Sequence, residues 1–315
     1  MLLAIGLAPG AAAAAVHHAP NRQLVFHPKW RLISGDANRG ITGSGSFVLL
    51  GNSAAGLGTL IDNRDNQRSQ VPAPPNCLYG YGNPVLSDTW LLRLCGVNSQ
   101  PYASLYSLAQ HTWRDVTSPA PVRQAFESCG GGIVQCSLNA PTIGRYWIGW
   151  SFTCGAHCDS ASLPDGFSNI QTGEWQPQSS SPTTIQDPNS QSLAVKVCRP
   201  LRIPPGASVT FYGRFAVLDQ DRLDRPDYLE HCGSHLRQRI AGDTTGDSHV
   251  VIANPGTNKL DGIFLPSLRH FVIPLGHNMP GGRTEFLLSD HTLYASFGSS
   301  VWTAPVPVAP RLTHH

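Results

Sequence analysis

Apolar residues in this chain gather in short runs separated by Gly, Pro, Asn, Asp and Ser, the pattern of extended strands joined by turns. The runs fall into successive groups. SFVLLGN, GTLIDN and QRSQV form a first; TWLLRLC, SLYSL and TWRDV a second; RYWIGWSF, DGFSNI and EWQPQ a third. SVTFYGRFAVL, DYLEHC and HLRQRIA make a fourth, and SHVVIAN, LDGIFL and RHFVIP a fifth. EFLLSD, HTLYASF and SVWTAP remain as an incomplete group. No strong amphipathic helix is predicted after the N-terminus.

One hairpin frame recurs. Laying LYSLAQHTWRDV, from Leu105, on FSNIQTGEWQPQ, from Phe167, puts Leu108 on Ile170 and Trp113 on Trp175. LIDNRDNQRSQV, from Leu60, and IFLPSLRHFVIP, from Ile263, fit the same frame, with Phe271 where the tryptophans fall. A hairpin accounts for the spacing: alternate residues of each arm face a core, and a polar or Gly-containing middle turns the chain, with Gly173 free to take positive φ.

Repetition of one frame predicts an all-β fold, a β-propeller of five to six blades spanning residues 17–315 as a single domain; the alternative is a tandem of β-sandwiches, which do not repeat one pattern in this way. Roughly 290 residues over six units gives about 48 per unit, close to propeller periods. The N-terminal run QLVFHPKWRLI belongs to no group, and the last group lacks a strand. Residues 23–33 are therefore expected to pair near residues 301–304 and close the ring.

Composition supports strands: 31 Gly, 26 Pro and only 13% charged residues disfavour long helices. The opening MLLAIGLAPGAAAAAVHHAP has the apolar run and Ala-rich end of an export signal over residues 1–16, without the basic start. No other apolar run approaches a membrane span. Eight cysteines at irregular spacings fit disulfides of an oxidising compartment better than a zinc ribbon. The economical pairing is sequential: Cys77 with Cys95, Cys129 with Cys136, Cys154 with Cys158, and Cys198 with Cys232. A formal charge of +2 with dispersed Lys and Arg gives no surface for nucleic acid.

The run RYWIGWSFTC followed by FSNIQTGEW, a Trp-bearing hairpin after an apolar strand, resembles the blades of Kelch-like and other secreted bacterial β-propellers. The resemblance spans residues 43–305 and implies a fold without a known activity. The full signatures differ: Gly-Gly occurs only at residues 130–132 and 281–282, and the Trp-Asp of WD40 blades is absent.

Candidate chemistry is sparse. There is no Gly-x-Ser-x-Gly elbow, and GSGS at residues 43–46 reads as a turn. Several propeller families place carboxylates in the central channel, which makes Asp88, Asp165, Asp247, Asp261 and Asp290 candidates, although Asp beside Gly, Ser or Thr is ordinary turn chemistry. LDQDRLDRPD lacks the Gly and Glu of a calcium loop and carries Arg222 and Arg225 against its acids. His157, and the group His231, Cys232 and His235, do not have metal-ligand spacing on strands, so no metal and no cofactor are expected. Trp113 and Trp175 are expected to pack between blades. Tyr79, Tyr81 and Tyr102, assigned to loops, join Asp88, Asp165, Asp247 and Asp290 as candidate ligand contacts.

The reading is an exported, monomeric, noncatalytic binding module, secreted or in the cell envelope, with a glycan or protein as its extracellular ligand. A carbohydrate-active hydrolase or lyase using channel carboxylates is the alternative, and a cell-envelope scaffold a third.

Overall fold

Each predicted strand group closes into a four-stranded antiparallel sheet, and the computed structural model shows six of them. It describes residues 24–34, 40–51, 56–77, 79–97, 100–128, 136–138, 142–154, 165–179, 184–196, 208–212, 214–219, 227–232, 237–240, 242–265, 267–275 and 284–308. The export-signal reading and LDQDRLDRPD's central residues 220–226 lie outside the described residues, as do His157, His235, Cys129, Cys158 and Cys198.

In chain order the first blade is Ile41–Ser44, Phe47–Gly51, Gly58–Asp62 and Gln67–Val71. The second is Tyr79–Leu86, Trp90–Val97, Gln100–Ser107 and Trp113–Thr117; the third is Thr142–Ile143, Trp147–Trp150, Gly166–Asn169 and Trp175–Pro177. Ser208–Tyr212, Phe215–Asp219, Asp227–His231 and Arg237–Ile240 make the fourth, and Asp243–Gly246, Val250–Thr257, Lys259–Phe264 and Arg269–Pro274 the fifth. The sixth takes Thr284–Ser289, Thr292–Phe297 and Ser300–Pro305 from the C-terminal end and Arg31–Ser34 from the N-terminal end. First strands of the fifth, sixth, first, second and third blades touch in ring order, which places them around the axis of a six-bladed β-propeller.

The apolar runs of blades one, two, five and six are continuous because both faces of each of these blades are covered. Val48, Leu50 and Ile61 of the first blade meet Tyr294 and Val301 of the sixth. Phe47, Leu49 and Leu60, one residue out of phase, meet Leu86, Leu91 and Leu108 of the second. Blades four and five share Phe215, Val217, Val251 and Ile263, while five and six share Val250, Ile252, Leu288 and Leu293. Each fully buried aliphatic side chain contributes about 1.5–3 kcal/mol, so the interfaces between blades are the core.

Closure follows the sequence expectation: Arg31 pairs with Thr303, Leu32 with Trp302 and Ser34 with Val301. Leu24–Val25 adds a parallel fifth strand outside the fifth blade, and Phe26 packs edge-on against Phe264 and Phe271. A polar clasp joins the first and last blades. Asn63 Nδ2 donates to Ser289 Oγ at 2.9 Å, Tyr294 donates to Asn63 Oδ1 at 2.5 Å, and Ser289 donates to the Gly45 carbonyl at 2.7 Å.

The recurring hairpin is the turn from third to fourth strand. In blades one, two, three and five it closes at Asn66, His111, Gly173 and Leu268, with φ of 57°, 56°, 71° and 55°. The N–H groups of His111, Gly173 and Leu268 reach back four residues to the carbonyls of Ser107, Asn169 and Phe264. Trp113 pairs with Tyr106 and Trp175 with Ser168, in equivalent places. The fifth-blade copy is one residue out: His270, not Phe271, takes the tryptophan position, because Ile263 pairs with His270 and Gly262 with Phe271.

Two further expectations change. A helix, Ala120–Ser128, follows the second blade and buries Val122, Ala125 and Phe126 between blades two and three. Pro119 and Pro121 resemble breakers in the sequence, but proline is tolerated in a first turn. Tyr79, Tyr81 and Tyr102 lie on strands, not loops. Cys77–Cys95 is closed as predicted, and Cys232 is also disulfide-bonded. The short pair Cys136–Leu138 and Phe152–Cys154 sets Cys136 opposite Cys154 along the backbone. No helix among the described residues is long and apolar enough to cross a membrane.

Candidate binding site at the channel mouth

All the inner strands run in one direction, so the ring has two unlike faces. At one face the inner strands begin; at the other they turn tightly into the second strands. A cavity of about 470 Å³ opens where the inner strands of blades six, one and two begin. Such a volume suits a small molecule.

The inner strand of the second blade is irregular between Tyr81 and Val85, and this bulge brings Gly82, Asn83 and Pro84 to the cavity wall. Gly82 has φ +61°, a conformation that side-chain-bearing residues seldom adopt. Arg93, on the second strand, donates from its guanidinium to the Gly82 carbonyl and lies against Gly80, where a Cβ would collide with it. The cation is therefore held by backbone on one side.

Across the cavity stands Glu285, exposed, on the inner strand of blade six. A Cβ on Gly40, which has φ +79°, would come within 3.1 Å of Glu285 Oε2. Glu285 also lines a second cavity of about 160 Å³ with Asp243, Thr244, Thr245 and Asn254 of blade five. Thr245 Oγ1 accepts from the Leu288 N–H at 2.8 Å, fixing blade five to blade six beside it. The two cavities thus meet at one carboxylate, with a guanidinium on one side and a second carboxylate on the other. Hydroxyl and amide groups of Thr42, Asn83, Thr244 and Asn254 supply both donors and acceptors.

Among the described side chains, none of those singled out from sequence lines either cavity; Gly82, Asn83 and Pro84, which do, follow Tyr81 on its strand. Tyr102 donates to the Asn76 carbonyl at 2.6 Å, and burial, then the charge of Asp115, raises its pKa above the usual phenol value. It latches the connection that carries Cys77. Asp88, Asp247 and Asp290 sit in turns from first to second strand on the opposite face, while Asp165 precedes the third strand of the third blade. Asp247 accepts from the His249 and Val250 N–H groups at 2.6 and 2.9 Å, the turn chemistry expected of it. Asp261 pairs with Lys259 at 3.1 Å on a blade-five strand. Arg93, Asp243 and Glu285 were missed because nothing local marks them; they come from blades two, five and six, and only the assembled ring brings them to one mouth.

A scan against protein-family models and a search of curated proteins find no match. Among solved structures, the chain is similar to a protein of unknown function from Bacteroides thetaiotaomicron, at 10% identity and a TM-score of 0.45, over 89% of this chain and 76% of that one. It is similar to a gluconolactonase from Xanthomonas campestris at 10% identity and a TM-score of 0.47, over 89% and 90%. It is also similar to the β-propeller domain of Cps50 from Myceliophteria thermophila, at 11% identity and a TM-score of 0.38, over 85% and 83%.

Proposed function

We propose that this protein is an exported binding module that takes a small, hydroxyl-rich ligand of the carbohydrate class at the mouth where its inner strands begin. The observation that carries the reading is the meeting of the two cavities at Glu285, with Arg93 and Asp243 to either side. Fixed charges and mixed donors and acceptors on a mostly preformed wall suit a polyol, whose hydroxyls both give and accept hydrogen bonds.

One observation favours a second reading. Asp243 and Glu285 line the same cavity, and a pair of carboxylates on one ligand is the apparatus of glycoside cleavage. The pair is then an acid and a base rather than two hydrogen-bond acceptors. A glycan and polysaccharide binding screen on the mature protein, with product analysis of whatever is retained, separates the two. Retention without products, lost in Glu285→Gln and in Arg93→Ala, supports the binding module. Products that disappear in Asp243→Asn while retention persists establish the enzyme. Retention equal in wild type and all three variants overturns both.

A further inference from the structure

The face opposite the cavity carries a cluster that the channel does not use. Asp247 and His249 belong to the turn from Gly246 to Val250 in blade five, and His291 to the turn from Ser289 to Thr292 in blade six. One ligand atom from each of these three residues lies within 4.8 Å of the others. We propose that Asp247, His249 and His291 form a divalent transition-metal site of the zinc class that clasps the fifth blade to the sixth.

The geometry is set by backbone rather than by side-chain chance. Oδ1 of Asp247 is occupied by the N–H groups of His249 and Val250. That leaves Oδ2 buried, without a hydrogen-bond partner, and 3.2 Å from His291 Nδ1. A buried carboxylate oxygen is costly unless a cation faces it, a role that an imidazolium at the ion-pair distance of His291 or a metal ion held between the two side chains fills. The separation also fits: metal–nitrogen and metal–oxygen bonds of about 2.0–2.2 Å at a tetrahedral centre put neighbouring ligand atoms about 3.3 Å apart.

His291 is fixed by its turn, with φ of 59° and its carbonyl accepting from the Val306 N–H at 2.8 Å. The His249 ring meets the His291 ring edge-on at a centroid distance of 5.2 Å. Its Nδ1 is 3.0 Å from Ser248 Oγ and 3.8 Å from Asp247 Oδ1, so the ring lies against the carboxylate. Both imidazoles are exposed, so each can rotate the short distance that brings the ligand atoms together. Two imidazoles and one carboxylate favour zinc, cobalt, nickel or copper over calcium or magnesium, and leave a coordination position for water.

The test uses the full chain without an affinity tag, titrated with Zn²⁺ by calorimetry and with Co²⁺ by visible absorption. Two variants preserve the fold's local needs. His249→Gln combined with His291→Asn keeps a residue that tolerates positive φ at position 291, and Asp247→Asn keeps the oxygen that accepts the two backbone N–H groups. Wild type is expected to bind one metal ion with the strong absorption of four-coordinate Co²⁺, and to melt at higher temperature with Zn²⁺ present. Both variants should lose that binding event and that shift. The histidine pairs His17–His18 and His314–His315 remain in every sample and set the background. Binding and melting shifts that are the same in wild type and both variants, or absent from all of them, overturn the site.

Discussion

The two faces of this ring differ in how their backbone is held. On the turn face, short loops of repeated design close on residues of positive φ, and most of their amides and carboxylates are hydrogen-bonded within the turn. On the mouth face, glycines 40 and 242 bend the entry to two inner strands, Gly82 lies in the bulge of Tyr79–Leu86, a second bulge interrupts Val250–Thr257, and side chains project into open volume. One face conserves the geometry of the blades; the other leaves room between them. Substitutions should therefore separate cleanly, those on the turn face lowering stability and those at the mouth lowering ligand retention.

The largest effect belongs to Trp147, 2% exposed, whose indole N–H reaches the carbonyl of Ser190 at 3.0 Å beside the third blade's first turn. Trp147→Ala is expected to cost about 3–5 kcal/mol, read by chemical denaturation, with ligand retention unchanged below the transition. Trp113 and Trp175 are only half-buried at the junctions with the preceding blades, so Trp113→Ala and Trp175→Ala should cost less, about 1–3 kcal/mol each. Next comes the seam. Asn63→Ala leaves Ser289 and the Tyr294 hydroxyl short of a partner and should cost about 1–3 kcal/mol in the same measurement.

A smaller loss is expected at Gly173, where φ is +71° and nothing lies within 4 Å of an added Cβ. Gly173→Val should cost about 1–2 kcal/mol from backbone strain alone, and Gly173→Asn clearly less. Alkaline pH acts more gently still. Burial holds the Tyr294 phenol above its ordinary pKa, against a smaller opposing effect of Asn63. The neutral form is thus favoured by folding, and its contribution is complete below a pH of about 10 and is lost as pH rises through the raised folded value. Tyr294→Phe should flatten that decline in a series of melting curves. The smallest stability change is expected at the mouth: Glu285→Gln should stay within about 0.5 kcal/mol of wild type while abolishing retention of the ligand. A loss of several kcal/mol there, or an unchanged affinity, would erase the distinction between the faces.

Much of the turn face was legible from sequence. Runs such as FVLL and LLRL announce strands covered on both sides, and the polar or Gly-containing middle of the repeated frame gives the turns their place. The closing of blade six by Arg31–Ser34 was legible as well, from two incomplete ends. The mouth was not. Tyr-Gly-Tyr-Gly at residues 79–82 has the composition of a loop, yet it is a bulged inner strand held by pairing to residues 94–96. Glu285 and Asp243 look like any polar residue at a strand's start, and their meeting depends on a ring in which distant segments become neighbours. Aspartates, by contrast, drew notice because of their turn context, and that context is what occupies Asp247 Oδ1.

The sharing of blade six between Arg31–Ser34 and Ser300–Pro305 also imposes an order in time. Arg31–Ser34 has no sheet to join until Ser300–Pro305 has been made, so this contact joins segments far apart in sequence. Pairings of such high sequence separation form slowly and late, after shorter-range hairpins have collapsed. Until then the growing protein is an open arc with unsatisfied edges at both tips, and the final pairing converts that arc into a single cooperative body.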